Sequence, residues 1–265
     1  VRIDTYTYVP AGDMVLDPLT QVVGATYIIV TEDGNIIGYD LTVDNLDDKR
    51  GMLIIYTNRL ELKDGETVIG FILNPAALSN GDITFHNILA ERSDLYFYAA
   101  GSITVHEAFE TDPNPVTPIA IAGVNSSFEF TAGGDITVVG GIWLGNSGLL
   151  FDAGGDILFD NLGSVYSTAA MGAGGDILFD SIIAKGSDIV LAAQGNLAGN
   201  NGIECGEYGN RAFIKYAEED TDATAMLSLS AGNAIASEES RLIVDIPAAV
   251  TLNMPYVGDF HIDAL

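Results

Sequence analysis

Residues 153–157 read Ala-Gly-Gly-Asp-Ile, and the same five residues stand at 132–136 and at 173–177. The copies are spaced by 21 and 20 residues. A fixed period of this length is the sequence signature of a repeat protein in which one structural unit stacks on the next. The motif therefore predicts a coil of short strands rather than a compact enzyme domain.

A second landmark recurs with the same period. A serine lies eight residues before the last glycine of the motif, as Ser147 does before Gly155. At offsets of two, four and six after this serine the residues are apolar: Leu149, Phe151 and Ala153. Such alternation predicts a strand with one buried face. The serines in the four copies are Ser93, Ser126, Ser147 and Ser187.

A second alternation follows the motif, as at Ile157 and Phe159, and a third apolar stretch fills the rest of each repeat. Like residues at like positions would stack in continuous columns if successive strands lie about 4.8 Å apart. We therefore expect an all-β fold, a single-stranded parallel β-helix (β-solenoid) with short strands and about 20 residues per rung. The alanine and glycines mark a corner, because a small residue fits there and glycine accepts positive φ.

Breaks in the period divide the chain. Residues 79–200 are predicted to form the regular solenoid, interrupted at 108–118 by a proline-rich insertion. Proline cannot donate to a β ladder, so this insertion is expected to leave the solenoid as a loop. Residues 1–78 lack the motif and are interpreted as divergent β rungs or an N-terminal cap. Residues 201–265 are assigned to an insertion loop, the last rungs and C-terminal strands.

The composition is strongly acidic, with 37 Asp and Glu against 10 Lys and Arg and a net charge of −27. Such a surface repels nucleic acid and anionic membranes and attracts cations. No apolar run approaches the roughly 20 residues that span a bilayer, so membrane insertion is not expected. Cys205 is the single cysteine, which permits no intrachain disulfide, and no Cys and His motif predicts zinc. Few lysines and an open repeat architecture favour a secreted, extracellular or cell-surface location.

Two phrases of the repeat resemble those of a known group. They are Ser-Asp-Ile-Val-Leu-Ala-Ala-Gln-Gly-Asn-Leu at 187–197 and Ala-Gly-Gly-Asp-Ile-Leu-Phe-Asp at 153–160. They resemble the repeats of filamentous-haemagglutinin-type exoproteins and related bacterial adhesins, and the resemblance covers roughly residues 79–200. It implies a secreted, right-handed parallel β-helix that acts in adhesion and surface structure. It carries over no binding residue, because the matching positions are core and corner positions.

Carboxylates recur at two positions of the repeat. Asp135, Asp156 and Asp176 occupy one column, and Asp160 and Asp180 occupy another. Stacked carboxylates repel one another unless a cation bridges them, so one hypothesis is a Ca²⁺ ladder along these columns. The alternative is that each aspartate caps its own turn by accepting backbone N–H groups. No other cofactor is predicted.

Two further sets of side chains are expected to face outward. His86 and His106 lie at equivalent offsets of successive repeats and are interpreted as an exposed pair, with a shared metal as the alternative. Tyr96 and Tyr98 flank a core position and are candidates for contact with a glycan or a neighbouring subunit.

These observations predict a non-enzymatic, extracellular structural protein. Its copies are expected to join one another through the solenoid ends or terminal strands into a surface filament, sheet or matrix, with adhesion as a companion role. The alternative is a monomeric adhesin fragment that binds a cell-surface glycan through loops at 108–118 and 203–224. A β-helical polysaccharide lyase or hydrolase is the enzyme alternative, but a hydrolase of this shape needs clustered aspartates, whereas these are explained by turns.

Overall fold

The computed structural model describes residues 5–16, 19–20, 26–44, 50–107, 119–199, 211–217, 225–237, 241–247, 250–255 and 257–264. The predicted insertion at 108–118, Cys205 and most of the predicted loop at 203–224 lie outside these ranges. Within them the chain forms 28 strands and no helix.

The strands are β1 (Thr5–Val9), β2 (Met14–Leu16), β3 (Leu19–Thr20), β4 (Thr26–Thr31), β5 (Ile36–Gly38), β6 (Leu41–Asp44), β7 (Gly51–Tyr56), β8 (Arg59–Asp64), β9 (Thr67–Leu73), β10 (Ile83–His86), β11 (Ile88–Glu91), β12 (Ser93–Ala99), β13 (Ile103–His106), β14 (Ile119–Val124), β15 (Ser127–Ala132), β16 (Ile136–Gly145), β17 (Gly148–Ala153), β18 (Ile157–Val165), β19 (Thr168–Ala173), β20 (Ile177–Lys185), β21 (Asp188–Ala193), β22 (Leu197–Gly199), β23 (Phe213–Tyr216), β24 (Met226–Ile235), β25 (Leu242–Asp245), β26 (Thr251–Asn253), β27 (Val257–Phe260) and β28 (Ile262–Ala264).

Twenty-six of these strands join through parallel pairings. In the regular part, each strand pairs with the strand that holds the same position in the next repeat. Phe130 of β15 lies beside Phe151 of β17, which lies beside Met171 of β19. The fold is therefore all-β with large parallel sheets, and it is consistent with a parallel β-solenoid.

In three repeats the second and third predicted strands are one continuous strand. β16, β18 and β20 contain ten, nine and nine residues. The two parts of each strand meet at an irregular position. The register between β16 and β18 shifts between Val138 and Gly141, and Gly140 has a φ of 112°, while the register between β18 and β20 passes over Asp160 and Asp180. Glycine permits this backbone conformation, so the chain turns without leaving the sheet.

The core consists of columns of like side chains. Phe97, Phe130 and Phe151 follow one another in successive repeats, with ring centroids 4.7 and 5.1 Å apart, and all three are fully buried. Burying one such side chain stabilises the fold by about 1.5–3 kcal/mol. A column of them therefore holds neighbouring repeats together.

The N-terminal strands continue the same columns. β1 pairs in parallel with β4, β4 with β7, and β7 with β12. After β7 the chain leaves the stack as the antiparallel hairpin β8–β9, whose tip includes Gly65 with a φ of 63°. Phe71 of the hairpin contacts Tyr6 and Tyr56, with ring centroids 6.2 and 5.0 Å apart, so the hairpin packs against the outer face of the first strands.

Residues 211–217 belong to the segment that was expected to be an insertion loop. They contain β23, which pairs in parallel with β20 and with β25. This part of the segment is a member of the stacked sheets.

Candidate functional site

The aspartates of the motif form a ladder between repeats. Oδ1 of Asp135 accepts the backbone N–H of Asp156 at 2.8 Å, and Oδ1 of Asp156 accepts that of Asp176 at 2.7 Å. Oδ1 of Asp176 accepts the N–H of Asn196 at 2.6 Å. Each carboxylate therefore caps the equivalent residue of the next repeat and not its own turn, because the strand spacing brings that N–H group within reach.

The ladder extends into the less regular repeats with other acceptors. Asn35 accepts the N–H of Asp82, and Asp82 accepts that of Ser102, both at 2.8 Å. The hydroxyl oxygen of Ser102 accepts the N–H of Asp135 at 3.1 Å. Neutral Asn and Ser thus serve at the same position as Asp, which indicates that the position needs a hydrogen-bond acceptor more than a charge.

The calcium hypothesis for Asp135, Asp156, Asp176, Asp160 and Asp180 stays a prediction. Calcium takes six to eight oxygen ligands. The described part of the chain contains no group of three or more His, Cys, Asp or Glu side chains that could hold a metal ion.

The motif glycines are required by close approach between repeats. A Cβ built on Gly174 would lie 2.2 Å from the carbonyl oxygen of Gly154, and one on Gly175 would lie 1.9 Å from Oδ1 of Asp156. Neither glycine has a positive φ. The expectation that these glycines supply a left-handed conformation is therefore wrong: they leave room for the backbone and the aspartate of the preceding repeat.

Left-handed residues lie instead at the corner before each serine. They are Arg92, Asn125, Asn146, Tyr166 and Gly186, with φ values of 52, 52, 49, 48 and 55°. Asparagine and glycine tolerate this conformation, whereas Tyr166 carries the cost of a bulky side chain there.

The serines form a second ladder that is buried. The N–H of Ser147 donates to Oγ of Ser167 at 3.0 Å, and that hydroxyl donates to the carbonyl oxygen of Val165 at 2.8 Å. Ser167 was missed in the sequence because its strand continues with Ala169 and Met171 rather than with aromatic residues. Its place eight residues before Gly175 was the available signal. The ladder contains five serines, all of them buried: Ser93, Ser126, Ser147, Ser167 and Ser187.

Asp160 and Asp180 lie at the position of β18 and β20 that the register between these strands passes over. Oδ2 of Asp160 accepts the N–H of Gly140 at 2.7 Å. Burial raises the pKa of Asp160, and burial followed by the negative charge of Asp160 raises the pKa of Asp180 to about 6. Asp180 is 1% exposed. The column therefore holds the buried carboxyl group of Asp180 close to the half-buried carboxyl group of Asp160.

The two histidines lie in adjacent strands, as predicted, but they are half-buried and not the exposed pair that was expected. His86 of β10 is the register partner of His106 of β13, and their rings stack with centroids 5.0 Å apart. Tyr39 stacks on His86 at 6.1 Å. Both imidazoles are half-buried, so the pair belongs to an outward column of stacked rings.

Tyrosines form another outward column beside the hairpin. Tyr56 and Tyr98 stack with centroids 4.9 Å apart, and Tyr98 donates to Oε1 of Glu129 at 3.0 Å. Burial and this hydrogen bond raise the pKa of Tyr98. Tyr96 stacks with Tyr98 at 6.5 Å. The ring of Tyr98 thus contacts Tyr56 and Tyr96, and its hydroxyl group contacts Glu129. The contact of Tyr96 and Tyr98 with a glycan stays a prediction.

Comparisons with family models, with curated proteins and with solved structures find no match for this chain. The likeness to adhesin repeats therefore rests on the quoted phrases and on the parallel all-β architecture. In the described ranges no helical segment has the length and apolarity needed to cross a bilayer.

Proposed function

We propose that this chain is a non-enzymatic, extracellular structural protein whose copies join end to end, as a right-handed parallel β-helix of about 20 residues per rung. Adhesion of the filamentous-haemagglutinin type is its companion role. The observation that carries the proposal is the register: Ile136, Ile157 and Ile177 are consecutive partners, so each repeat adds one strand to each column. A stack of this kind is extended by another copy through the same pairing.

The outermost described strands support end-to-end contact. In the described chain β1 pairs only with β4, and β26 only with β24, so each offers a row of backbone groups on its other side. Such strand edges are templates for pairing with another chain. Leu252 and Phe260, in β26 and β27, are 39% and 60% exposed. Burial of these side chains against a second copy would add apolar contact to the backbone pairing.

The test compares two double variants of equal chemistry by electron microscopy and analytical ultracentrifugation. Leu252→Lys/Phe260→Lys places charge on the last strands, and Val139→Lys/Leu150→Lys places it on lateral faces of the stack, where the native side chains are 39% and 41% exposed. The unmodified protein and the lateral variant are expected to form linear polymers, while the end variant stays monomeric at the same concentration. Monodisperse particles of the unmodified protein at high concentration would contradict the proposal.

The alternative function is that of a monomeric adhesin. The loops predicted to bind the glycan, at 108–118 and 203–224, lie outside the described residues except for 211–217. Elsewhere in the molecule, the exposed side chain of Trp143 favours saccharide binding, and it does so whether or not copies assemble.

A further inference from the structure

The single tryptophan of the chain lies on an outer face of the stack. Trp143 belongs to β16 and points away from the core between the buried residues Ile142 and Leu144. It is 39% exposed, which is a large accessible area for an indole. Its register partners are Ala122 and Gly163, so both neighbours in its column are small.

The indole lies down on the sheet instead of standing out from it. A Cβ built on Gly145 would lie 2.9 Å from Cη2 of Trp143, and one built on Gly163 would lie 3.2 Å from Cδ1. The benzene end of the ring therefore covers the backbone of Gly145, and the pyrrole edge covers that of Gly163. One face of the ring packs on the backbone of Gly145 and Gly163, and the opposite face is exposed.

Two exposed amide side chains lie at the corner toward which the ring extends. Asn146 follows Gly145 directly, and the backbone N–H of Asn125 donates to the carbonyl oxygen of Gly145 at 2.9 Å. Both asparagines are exposed and have left-handed backbone conformations. An amide offers two donors and an acceptor, which is the chemistry that recognises hydroxyl groups.

The register neighbours of the ring are uncharged, but two arginines lie at the same corner: the backbone N–H of Arg92 donates to the carbonyl oxygen of Val124, and the Arg50 guanidinium donates to that of Asn125 at 3.4 Å. On the same face lie Val124 of β14 and Gly163 and Val165 of β18, and the register partner of Val165 in the next strand is Lys185. The chain as a whole carries a net charge of −27 and repels anionic ligands. The surface at Trp143 thus combines a flat aromatic face, small or apolar strand neighbours and amide groups at one edge, with Arg50 and Arg92 beside that edge.

We propose that this surface binds a neutral hexopyranose unit of a glycan. The C–H face of the sugar ring lies on the electron-rich face of the Trp143 indole. The side-chain amides of Asn125 and Asn146 hydrogen-bond its hydroxyl groups. The net charge of −27 disfavours an acidic saccharide relative to a neutral one.

The test uses the emission of Trp143, which reports this site alone because the chain has no other tryptophan. The protein, at a low fixed concentration, is titrated with cellohexaose, maltohexaose, mannohexaose and galactohexaose, and with hexagalacturonate as the anionic control. At least one neutral probe is expected to change the emission saturably, and hexagalacturonate is expected to have no effect. No saturable change with any neutral probe would overturn the proposal.

Calorimetry with the saccharide that binds most tightly measures the affinity of variants and so locates the binding site. Trp143→Ala is expected to weaken binding by about tenfold or more, because the stacking surface is lost. Asn146→Ala is expected to weaken it about 3- to 10-fold, the size of one hydrogen bond. Leu150→Ala, an equally exposed apolar residue of β17, is the control and is expected to bind normally.

A dilution series without saccharide tests whether a second copy of the chain, and not a saccharide, covers the indole. If the emission of Trp143 shifts with protein concentration alone, a second copy covers the indole, and the saccharide proposal is overturned. Failure of end-to-end assembly would leave the emission titration unaffected, so the two proposals are tested separately.

Discussion

The backbone N–H of Ser147 donates to the hydroxyl oxygen of Ser167, which lies 3.0 Å away and one repeat further along the chain. The same hydroxyl donates to the carbonyl oxygen of Val165, two residues before it. One small buried side chain therefore fixes both its own corner and the corner of the preceding repeat.

Ser167→Ala is expected to lower the free energy of unfolding by about 1–3 kcal/mol, because the N–H of Ser147 is left buried without its acceptor. Urea unfolding followed by circular dichroism measures this change. Thr168→Ala, at an exposed neighbouring position, is the control and is expected to alter stability by less than about 0.5 kcal/mol. Equal effects of the two variants would show that the ladder is not stabilising.

Tyr166→Asn is expected to stabilise the protein. Tyr166 has a φ of 48°, and Asn146 occupies the equivalent corner with a φ of 49°. A non-glycine residue pays about 1–2 kcal/mol for this conformation, and asparagine pays less. We expect about 0.5–1 kcal/mol of added stability by thermal unfolding, and a lower melting temperature would contradict the strain assigned to Tyr166.

Gly174→Ala and Gly172→Ala form a matched pair two residues apart. A Cβ on Gly174 would lie 2.2 Å from a backbone carbonyl oxygen, whereas one on Gly172 would have its nearest neighbour at 3.9 Å. Gly174→Ala is expected to destabilise the fold by about 1–3 kcal/mol through overpacking. Gly172→Ala is expected to be neutral within about 0.5 kcal/mol. Chemical denaturation of both variants decides whether the corner requires glycine for space.

Asp180→Asn is expected to raise stability at pH 7 by about 1–2 kcal/mol, because the folded protein holds this carboxyl group with a pKa of about 6. A carboxyl pKa raised by folding stabilises the protein below pH 4, and this contribution is lost as the pH rises through 6. The unfolding free energy of the unmodified protein should therefore fall across this window relative to the variant. Asp152→Asn, which changes an exposed carboxylate, is the control; a pH-independent difference between Asp180→Asn and the unmodified protein would contradict the assignment.

Asp156→Asn and Asp156→Ala separate the two roles considered for the motif aspartates. Asparagine keeps an acceptor for the N–H of Asp176, as Asn35 does at the same position of an earlier repeat, and is expected to cost less than about 1 kcal/mol. Alanine removes the acceptor and is expected to cost about 1–3 kcal/mol. Melting curves with and without added Ca²⁺ complete the test: stabilisation by Ca²⁺ that Asp156→Asn abolishes would establish the calcium ladder instead.

The sequence period predicted which residues share a column, because apolar residues at like positions have only one way to stack. Phe130 and Phe151 are partners for this reason, and His86 and His106 are partners because they lie at equivalent offsets from such apolar positions. The period could not tell which atoms meet between repeats. The aspartates were expected to cap their own turns, and the glycines to supply positive φ, because both readings consider one repeat in isolation. The period could not predict contacts that exist only between repeats, such as the close approach of Gly174 to the carbonyl oxygen of Gly154.

The outer surface was the least predictable part. Nothing in the spacing of Trp143, Gly145 and Gly163 reveals that the indole lies over both glycines, since this depends on a side-chain rotamer. The packing of Phe71 on Tyr6 likewise depends on how the hairpin folds back. Such contacts join residues that are distant in sequence and follow no period.

The most direct test of end-to-end stacking is cryo-electron microscopy of the purified protein at high concentration, with a power spectrum computed from any filaments. If the stack of strands in one copy continues into the next copy, the power spectrum should show a layer line at about 4.8 Å along the filament axis. Filaments whose strand spacing of about 4.8 Å lies perpendicular to the filament axis, or monodisperse particles alone, would contradict end-to-end stacking.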